Sequence, residues 1–421
     1  MKLFEELEAR GLVAAVTDPG VAEMLEKPLT VYCGFDPSAN SLQAGNLVSI
    51  LMLRRLQLAG HRVIALVGGA TGLIGDPSGK SAERNMLTVE QVAENKKGIR
   101  ENLARVLDFE GPNAAVMVDN YDWYSGLSAI EFLRDVAINF RVPQMLAKES
   151  VKKRLEASEG ALTFTEFSYQ ILQGNDFLHL FDRHVCTLEV GGADQWGNIT
   201  AGTDLVHKMR GRTAYGLTFP LLLDGSGRKF GKSEGNAMFM SAEKTPVYDW
   251  YQFFLRSDDA DVIRYLKVFS LRSLEEIAEL ERQMREHPES RIPQKALAEE
   301  LTRLVHGEEG LRTALGATQT LFGGDVSGKS ADELETIFRD VKSATLPRAE
   351  AEGRPVFQVA AAAGMFKSNG EARRMAAQGG LSLNGAKIDE RRAFAAADFV
   401  DGRVAVLRSG RKNHFLLKIG G

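Results

Sequence analysis

Through the first half of the chain, short β-branched apolar runs alternate with longer stretches whose apolar residues recur every three to four positions. Val31–Cys33, Val63–Val67, Ala115–Val118 and Thr187–Val190 read as strands; Leu47–Leu58 and Val92–Leu107 read as helices, the second with Val92, Ile99, Leu103 and Val106 on one face. Such alternation is the sequence form of a parallel sheet covered by helices. Polar or glycine residues follow each strand, as in Gly68-Gly-Ala-Thr-Gly72, Asp119-Asn120 and Gly191-Gly-Ala-Asp-Gln-Trp196. Open α/β sheets bind ligands just past the carboxyl ends of their strands, so the pattern predicts a pocket there.

From residue 241 to 322 the periodicity is helical throughout, as in Leu274, Ile277, Leu280 and Met284. The aromatics Tyr248, Trp250, Tyr251, Phe253 and Phe254 lie too densely for one exposed face and read as core. Residues 323–353 read as a linker containing one helix. In 354–421, Ser368-Asn-Gly-Glu371 is a capping box that opens a helix carrying Arg373 and Arg374. Leu381–Leu383, the turn Asn384-Gly385 and Ala386–Ile388 form a hairpin.

Composition narrows the class. The 421 residues suffice for two to four domains, and 44% hydrophobic with 26% charged residues is ordinary for a globular enzyme. Two cysteines, Cys33 and Cys186, exclude a disulfide framework and point to a reducing, cytoplasmic setting. No apolar run is long enough to span a bilayer, and the N-terminus lacks a secretory core segment. The net charge of -4 conceals an asymmetry: from Arg354 onward 12 Lys/Arg stand against 5 Asp/Glu, a net of +7 on a body of -11. A basic terminal domain is the footprint of a nucleic-acid binder.

The chemistry concentrates in two glycine-rich stretches. Phe219-Pro-Leu-Leu-Leu-Asp-Gly-Ser-Gly-Arg-Lys-Phe-Gly-Lys-Ser233 sets Lys229 and Lys232 on a loop that can bend close to a phosphate chain. Far upstream lies Val31-Tyr-Cys-Gly-Phe-Asp-Pro-Ser-Ala-Asn-Ser-Leu-Gln-Ala-Gly-Asn46. Gly323-Gly-Asp-Val-Ser-Gly-Lys329-Ser330 matches the P-loop pattern, but helix rather than strand precedes it, and Ser330-Ala-Asp-Glu333 reads as a capping box. The glycines of Gly69-Ala-Thr-Gly72-Leu-Ile-Gly75 have the wrong offsets for a dinucleotide turn, and the seven histidines are too scattered for a metal site, so none is assigned.

Together the two stretches resemble the signatures of class I aminoacyl-tRNA synthetases, specifically the bacterial-type tyrosyl enzymes, and the resemblance runs from Val31 to Phe415. It implies an α/β fold: a Rossmann-like parallel-sheet catalytic domain (1–240), a helical anticodon-binding domain (241–322), a linker, and an S-four-like RNA-binding domain (354–421). By that likeness Tyr32 and Asp176 would bind the tyrosine phenol. Asp76, Tyr169 and Gln173 would hold its ammonium, with Asn120 and Gln195 completing the wall. Positions 169, 173 and 176 also share one helix face, which brings three polar groups together. Gly34, Asp36, Ser38, Gly45, Asn46, Asp194 and Lys232 would line the ATP site, with magnesium bound through ATP. Lys229, Lys232 and Ser233 would stabilise the leaving pyrophosphate, and Lys80 and Arg84 would belong to a mobile loop near the phosphates. Arg373, Arg374, Lys387, Arg411 and Lys412 are the candidate RNA contacts. L-tyrosine, ATP, tRNA(Tyr) and a second copy of the chain are the implied partners.

One departure is conspicuous. The family's His-Ile-Gly-His appears here as Gln43-Ala-Gly-Asn46. Amide nitrogens at these positions reach about as far as the imidazole nitrogens they replace, but carry no charge. Two expectations follow: a working synthetase with neutral donors, or an RNA-binding relative with impaired adenylation. Retention of Lys229, Lys232, Asp76 and Asp176 favours the first.

Overall fold

The computed structural model describes residues 1–78, 87–156, 162–223, 227, 230–233, 236–323, 326–339, 341–410 and 413–420, with backbone alone at 150, 153, 232, 233, 236 and 321–323. These residues form two compact units: 1–245 with 252–305, and 246–251 with 306–421.

The first unit is built on strands β1 (Ala15–Val16), β2 (Thr30–Phe35), β3 (Arg62–Val67), β4 (Val116–Asp119), β5 (Cys186–Gly192) and β6 (Tyr215–Phe219), in the order β1-β6-β5-β2-β3-β4. β2 to β6 are parallel, and β1 runs antiparallel to β6 at the edge. The chain winds outward from β2 through β3 to β4, then restarts on the other side of β2 with β5. β2 and β5 therefore flank the point where strand order reverses, and a crevice opens there.

All four expected strands are present, each close to the apolar run that announced it, and the helix Leu47–Leu58 has the expected bounds. β1 and β6 are additions. β6 carries Gly216, where a Cβ would come within 2.3 Å of the Ile199 Cγ2 methyl, so glycine is what lets the helix Trp196–Arg210 press against the strand.

Residues 252–305 pack as part of the first unit rather than apart from it, which shifts the expected boundary near 241. Two buried arginines show why. Arg10 donates to the carbonyls of Lys267, Ser270 and Arg272, and Arg55, on the helix Leu47–Leu58, donates to those of Val268 and Ser270. Both grip the carbonyls left unpaired at the end of the helix Asp259–Phe269. Burial, reinforced by Arg10, pulls the Arg55 guanidinium down to about 9.

In the second unit, strands β9 (Ser343–Pro347), β10 (Leu381–Leu383), β11 (Ala386–Lys387), β12 (Val404–Ser409) and β13 (Asn413–Gly420) form a sheet in the order β11-β10-β12-β13-β9. The expected linker is corrected here. Residues 323–353 hold the helix Ala331–Ile337, and also β9, which pairs in parallel with β13 from Ser343↔Leu416 to Pro347↔Gly420. The hairpin β10–β11 turns through Asn384 (φ 48°) and Gly385 (φ 88°), the two positive φ values that an Asn-Gly turn supplies at low cost. The P-loop look-alike is structural: the helix Ile292–Gly323 runs into it, Ser330 Oγ caps the helix Ala331–Ile337, and Lys329 pairs with Glu333 at 3.8 Å. Trp250 and Phe254 are fully buried, and Tyr248 and Tyr251 nearly so, as the density of aromatics predicted.

Candidate active site

The sequence that follows β2 turns back over the sheet and is fixed there by backbone pairing. Ala44 N donates to Met238 O at 2.8 Å, Met240 N to Leu42 O at 2.8 Å, and Met238 N to Gly231 O at 2.9 Å. The two glycine-rich stretches thus touch main chain to main chain. A Cβ on Gly231, whose φ is 95°, would lie 3.0 Å from Gly45 N, and one on Gly45 would lie 3.2 Å from Phe230 O. Phe230 anchors this junction, its ring 4.9 Å from Tyr265, 5.1 Å from Phe269 and 5.2 Å from Phe253. Asn46 Oδ1 accepts from Gln43 N at 2.9 Å, which turns the Asn46 Nδ2 donor away from its own loop.

Beneath the junction lies a cavity of about 340 Å³ at the carboxyl ends of β2 and β5. It collects most of the residues singled out from the sequence: Tyr32, Asp76, Tyr169, Gln173, Asp176 and Gln195 from the tyrosine set, and Gly34, Asp36, Ser38, Gln43, Gly45, Asn46 and Asp194 from the nucleotide set. Asn120 stands behind the wall, fully buried, donating from Nδ2 to Asp176 Oδ2 and to Thr71 Oγ1, both at 3.0 Å. Lys80, Arg84 and Lys229 lie outside the described residues, as do Arg411 and Lys412. Lys232 and Ser233 are described as backbone only, in a short ribbon, β7 (Lys232–Ser233) with β8 (Asn236–Ala237). Arg373, Arg374 and Lys387 are exposed on the second unit.

Hydrogen bonds order the cavity wall. Tyr169 Oη donates to Asp36 Oδ2 at 2.7 Å, and Thr71 Oγ1 donates to Asp36 Oδ1 at 2.7 Å, linking the two expected subsites. A second chain runs along the floor: Gln173 Nε2 donates to Glu189 Oε1 (2.9 Å), Asn198 Nδ2 to Gln173 Oε1 (3.0 Å) and to Gln195 Oε1 (3.1 Å), and Gln195 Nε2 to Asp76 Oδ2 (2.6 Å). Asp176 accepts from Asn120 and, at Oδ1, from Trp123 Nε1 at 2.9 Å, yet burial still pushes its carboxyl up to about 7. The Tyr32 hydroxyl is fully buried with no hydrogen-bond partner among the described residues; burial, then the neighbouring Glu189 and Asp176 charges, hold its ionisation far above the usual phenol range. A buried orphan hydroxyl on a residue that lines the cavity, with carboxylates close by, suits a ligand that can both accept and donate.

Glu189, Thr71, Trp123 and Phe230 were missed by sequence reasoning. Only Glu189 left a readable trace, as an acidic residue inside the apolar run Thr187-Leu-Glu-Val190.

A switch-point cavity roofed by two glycine-rich signatures and walled by amides and carboxyls is the arrangement of a class I aminoacyl-tRNA synthetase. Residues 24–323 match the family described as tRNA synthetases class I (W and Y), and residues 333–417 match the tyrosine–tRNA ligase SYY-like C-terminal domain. The chain belongs to the tyrosine–tRNA ligases of that class. It is 48% identical over 423 residues to the tyrosine–tRNA ligase of Bacillus caldotenax, covering 99% of this chain and 100% of the relative. It is 46% identical to that of Rhodopirellula baltica, covering 99% and 96%. A C-terminally truncated mitochondrial tyrosyl-tRNA synthetase from Aspergillus nidulans superposes with a TM-score of 0.68 at 28% identity, over 76% of this chain and 94% of that one.

Proposed function

We propose that the protein activates L-tyrosine with ATP and transfers it to the 3′ end of tRNA(Tyr), using the residues gathered around the cavity. The observation that carries this reading is the pair Tyr32 and Asp176: an unpartnered buried hydroxyl and a buried carboxyl facing the same end of a cavity otherwise lined by amides and carboxyls. A tyrosine phenol satisfies both, whereas phenylalanine leaves both unpaired, which is the strongest form of rejection available to a binding site. Asp76, Tyr169 and Gln173 receive the ammonium, Gln195 orients Asp76, and Asn120 holds Asp176.

In adenylation the tyrosine carboxylate attacks the α-phosphorus of ATP, the bond to the bridging oxygen of the β-phosphate breaks, and pyrophosphate leaves with its magnesium, which arrives with ATP as part of the substrate. No side chain has to transfer a proton in this step. The chain supplies position, through Gly34, Asp36, Ser38, Gly45 and Asp194, and charge compensation on the leaving pyrophosphate, through Lys229, Lys232, Ser233, Lys80 and Arg84. Gln43 and Asn46 act as neutral donors. Transfer then places the tyrosyl group on the terminal ribose of tRNA, with Arg373, Arg374, Lys387, Arg411 and Lys412 touching the RNA backbone.

A cytoplasmic, dimeric enzyme fits the remaining features. Cys33 and Cys186 are buried free thiols, and Ile130, Leu133, Ile138, Val142 and Phe164 are exposed apolar residues suited to a second copy of the chain. The test of the activity is pyrophosphate exchange with each of the twenty amino acids, in which tyrosine alone is expected to support turnover; no tyrosine-dependent exchange would leave only an RNA-binding role. Sedimentation at graded concentrations tests the dimer, and a monomer at micromolar concentration removes it.

A further inference from the structure

Two carboxyl groups face the phenol end of the cavity, and the proposed recognition of tyrosine uses only Asp176. The other belongs to Glu189 on β5. The strand register places Glu189 directly beside Tyr32 of β2, so the two side chains stand as cross-strand neighbours. Glu189 is 2% exposed. Its Oε1 is satisfied by Gln173, but its Oε2 is buried with no hydrogen-bond partner among the described residues, and so is the adjacent Tyr32 Oη. Two neighbouring buried oxygens without partners are costly, and one proton placed between them relieves both.

We infer that Glu189 is a positioning residue for tyrosine recognition: its carboxyl O–H donates to Tyr32 Oη, which turns the Tyr32 proton toward the ligand phenol oxygen and leaves the ligand's own O–H to donate to Asp176. The inference rests on the reading that Tyr32 and Asp176 bind the phenol. Three protons then serve three hydrogen bonds along Glu189, Tyr32, ligand and Asp176, and every bond has a donor. Ionise Glu189, and the Tyr32 hydroxyl turns to the nearer carboxylate. The ligand oxygen then loses its donor and one bond is missing.

The surroundings keep the proton in place at neutral pH. Burial pushes the Glu189 carboxyl up to about 8, opposed by the Gln173 amide and the Tyr32 hydroxyl and helped by the Asp176 charge. The titratable groups facing it are Tyr32 and Cys33 on β2, Asp176 on the helix Phe164–His184, and Cys186 on β5 itself; its partner on β6 is Gly216. Burial raises both thiols, Cys33 to about 12, so neither competes for the proton. The Gln173 bond survives ionisation, because a carboxylate accepts as well as a carboxyl does. The ammonium end is therefore unaffected, and the effect is confined to the phenol.

The experiment is the ratio of kcat/KM for tyrosine to that for phenylalanine in pyrophosphate exchange, measured from pH 7 to 9 on the full-length protein and on Glu189→Gln, Glu189→Leu and Tyr32→Phe. The amino groups of the two substrates titrate alike and cancel in the ratio. For the natural protein the preference should fall about three- to tenfold through about pH 8, the worth of one hydrogen bond. Glu189→Gln, whose amide donates at every pH, should show no alkaline fall through about pH 8. Glu189→Leu, which offers the Tyr32 hydroxyl no competing acceptor, should show no alkaline fall, and Tyr32→Phe should show a lowered preference with no alkaline fall. An alkaline fall that persists in Glu189→Gln or in Glu189→Leu overturns the role of Glu189 while a lowered preference in Tyr32→Phe keeps the phenol reading. If Tyr32→Phe leaves the preference unchanged, the phenol is read elsewhere and both fail. A Glu189→Leu protein that does not fold leaves the decision to Glu189→Gln.

Discussion

Asp176→Asn is the most discriminating single change, because the structure fixes what asparagine can and cannot do there. Both carboxylate oxygens already accept a hydrogen bond, Oδ2 from Asn120 at 3.0 Å and Oδ1 from Trp123 at 2.9 Å. An asparagine amide must therefore turn its NH2 against one of these donors, or lose the acceptor offered to the ligand. A hydrogen bond to a charged acceptor is worth about 1.5–3 kcal/mol, which corresponds to roughly a 10- to 150-fold loss in kcat/KM for tyrosine. Phenylalanine never used that acceptor, so its value should hold and the preference should fall by the same factor. The pH dependence gives an independent check. Asp176 accepts best when ionised, and burial has pushed it up to about 7, so tyrosine kcat/KM in the natural protein should rise with pH through about 7 and this acid arm should vanish in the variant. Stability moves oppositely. A carboxyl raised above its unfolded value of about 3.9 favours the fold below that value and loses this contribution as pH climbs toward 7. The melting temperature of Asp176→Asn should therefore gain on that of the natural protein from about pH 4.5 to about pH 7.5. An unchanged tyrosine-to-phenylalanine ratio alongside the expected melting shift would refute the phenol role while leaving the burial argument standing.

Lys232→Ala should lower single-turnover adenylation about 10²-fold with little change in tyrosine affinity, since the proposed partner of Lys232 is charge that develops on pyrophosphate; a large loss of tyrosine binding would remove the phosphate role. Replacing Gln43 and Asn46 together by histidine should introduce a rate inflection near about pH 6.5 or raise the rate below it, because imidazolium donors make bonds roughly twice as strong as neutral ones; identical profiles would mean that geometry alone matters. Substituting Arg373, Arg374 and Lys387 by alanine should weaken tRNA charging and flatten its salt dependence by roughly one unit of slope for every phosphate no longer neutralised, with pyrophosphate exchange intact; an unaltered slope would place the RNA elsewhere. Substitution is a cleaner test than a cut at Arg354, which would leave β9 without its partner strand.

Four strands of the central sheet were legible because each reads as a continuous apolar run closed by glycine or polar residues, as the mostly buried β2, β3 and β5 require. The same holds for Tyr169, Gln173 and Asp176, whose convergence follows from helix geometry alone. The terminal hairpin was legible from two letters, Asn384-Gly385. Where the signal failed, the stabilising interactions are non-local. β1 is two residues long and exists only by pairing with β6, whose residues lie far along the chain. β9 alternates with small residues, ends in Pro347, and is held by a parallel partner close to the end of the chain. The role of Glu189 depends on which strand lies beside β5, and strand order across a switch point is not written in any local pattern. The junction of the signatures is similar: the glycines were visible, but the ring of Phe253, Tyr265 and Phe269 around Phe230 appears only once the later helices are in place.

Arg10 and Arg55 tie the first turns of the chain and the helix that begins at the signature to one set of carbonyls at the end of the helix Asp259–Phe269. Neither guanidinium can let go without stranding a charge in the interior, so the six-stranded sheet and the helices of 252–305 have no inexpensive way to come apart. They should melt in one transition rather than in sequence, and the clamp reaches outside the matched range that begins at residue 24, because the opening segment supplies Arg10. A push or pull on those distant helices is thereby delivered to the helix Leu47–Leu58, whose Val48 and Ser49 line the cavity, as a rigid lever would deliver it.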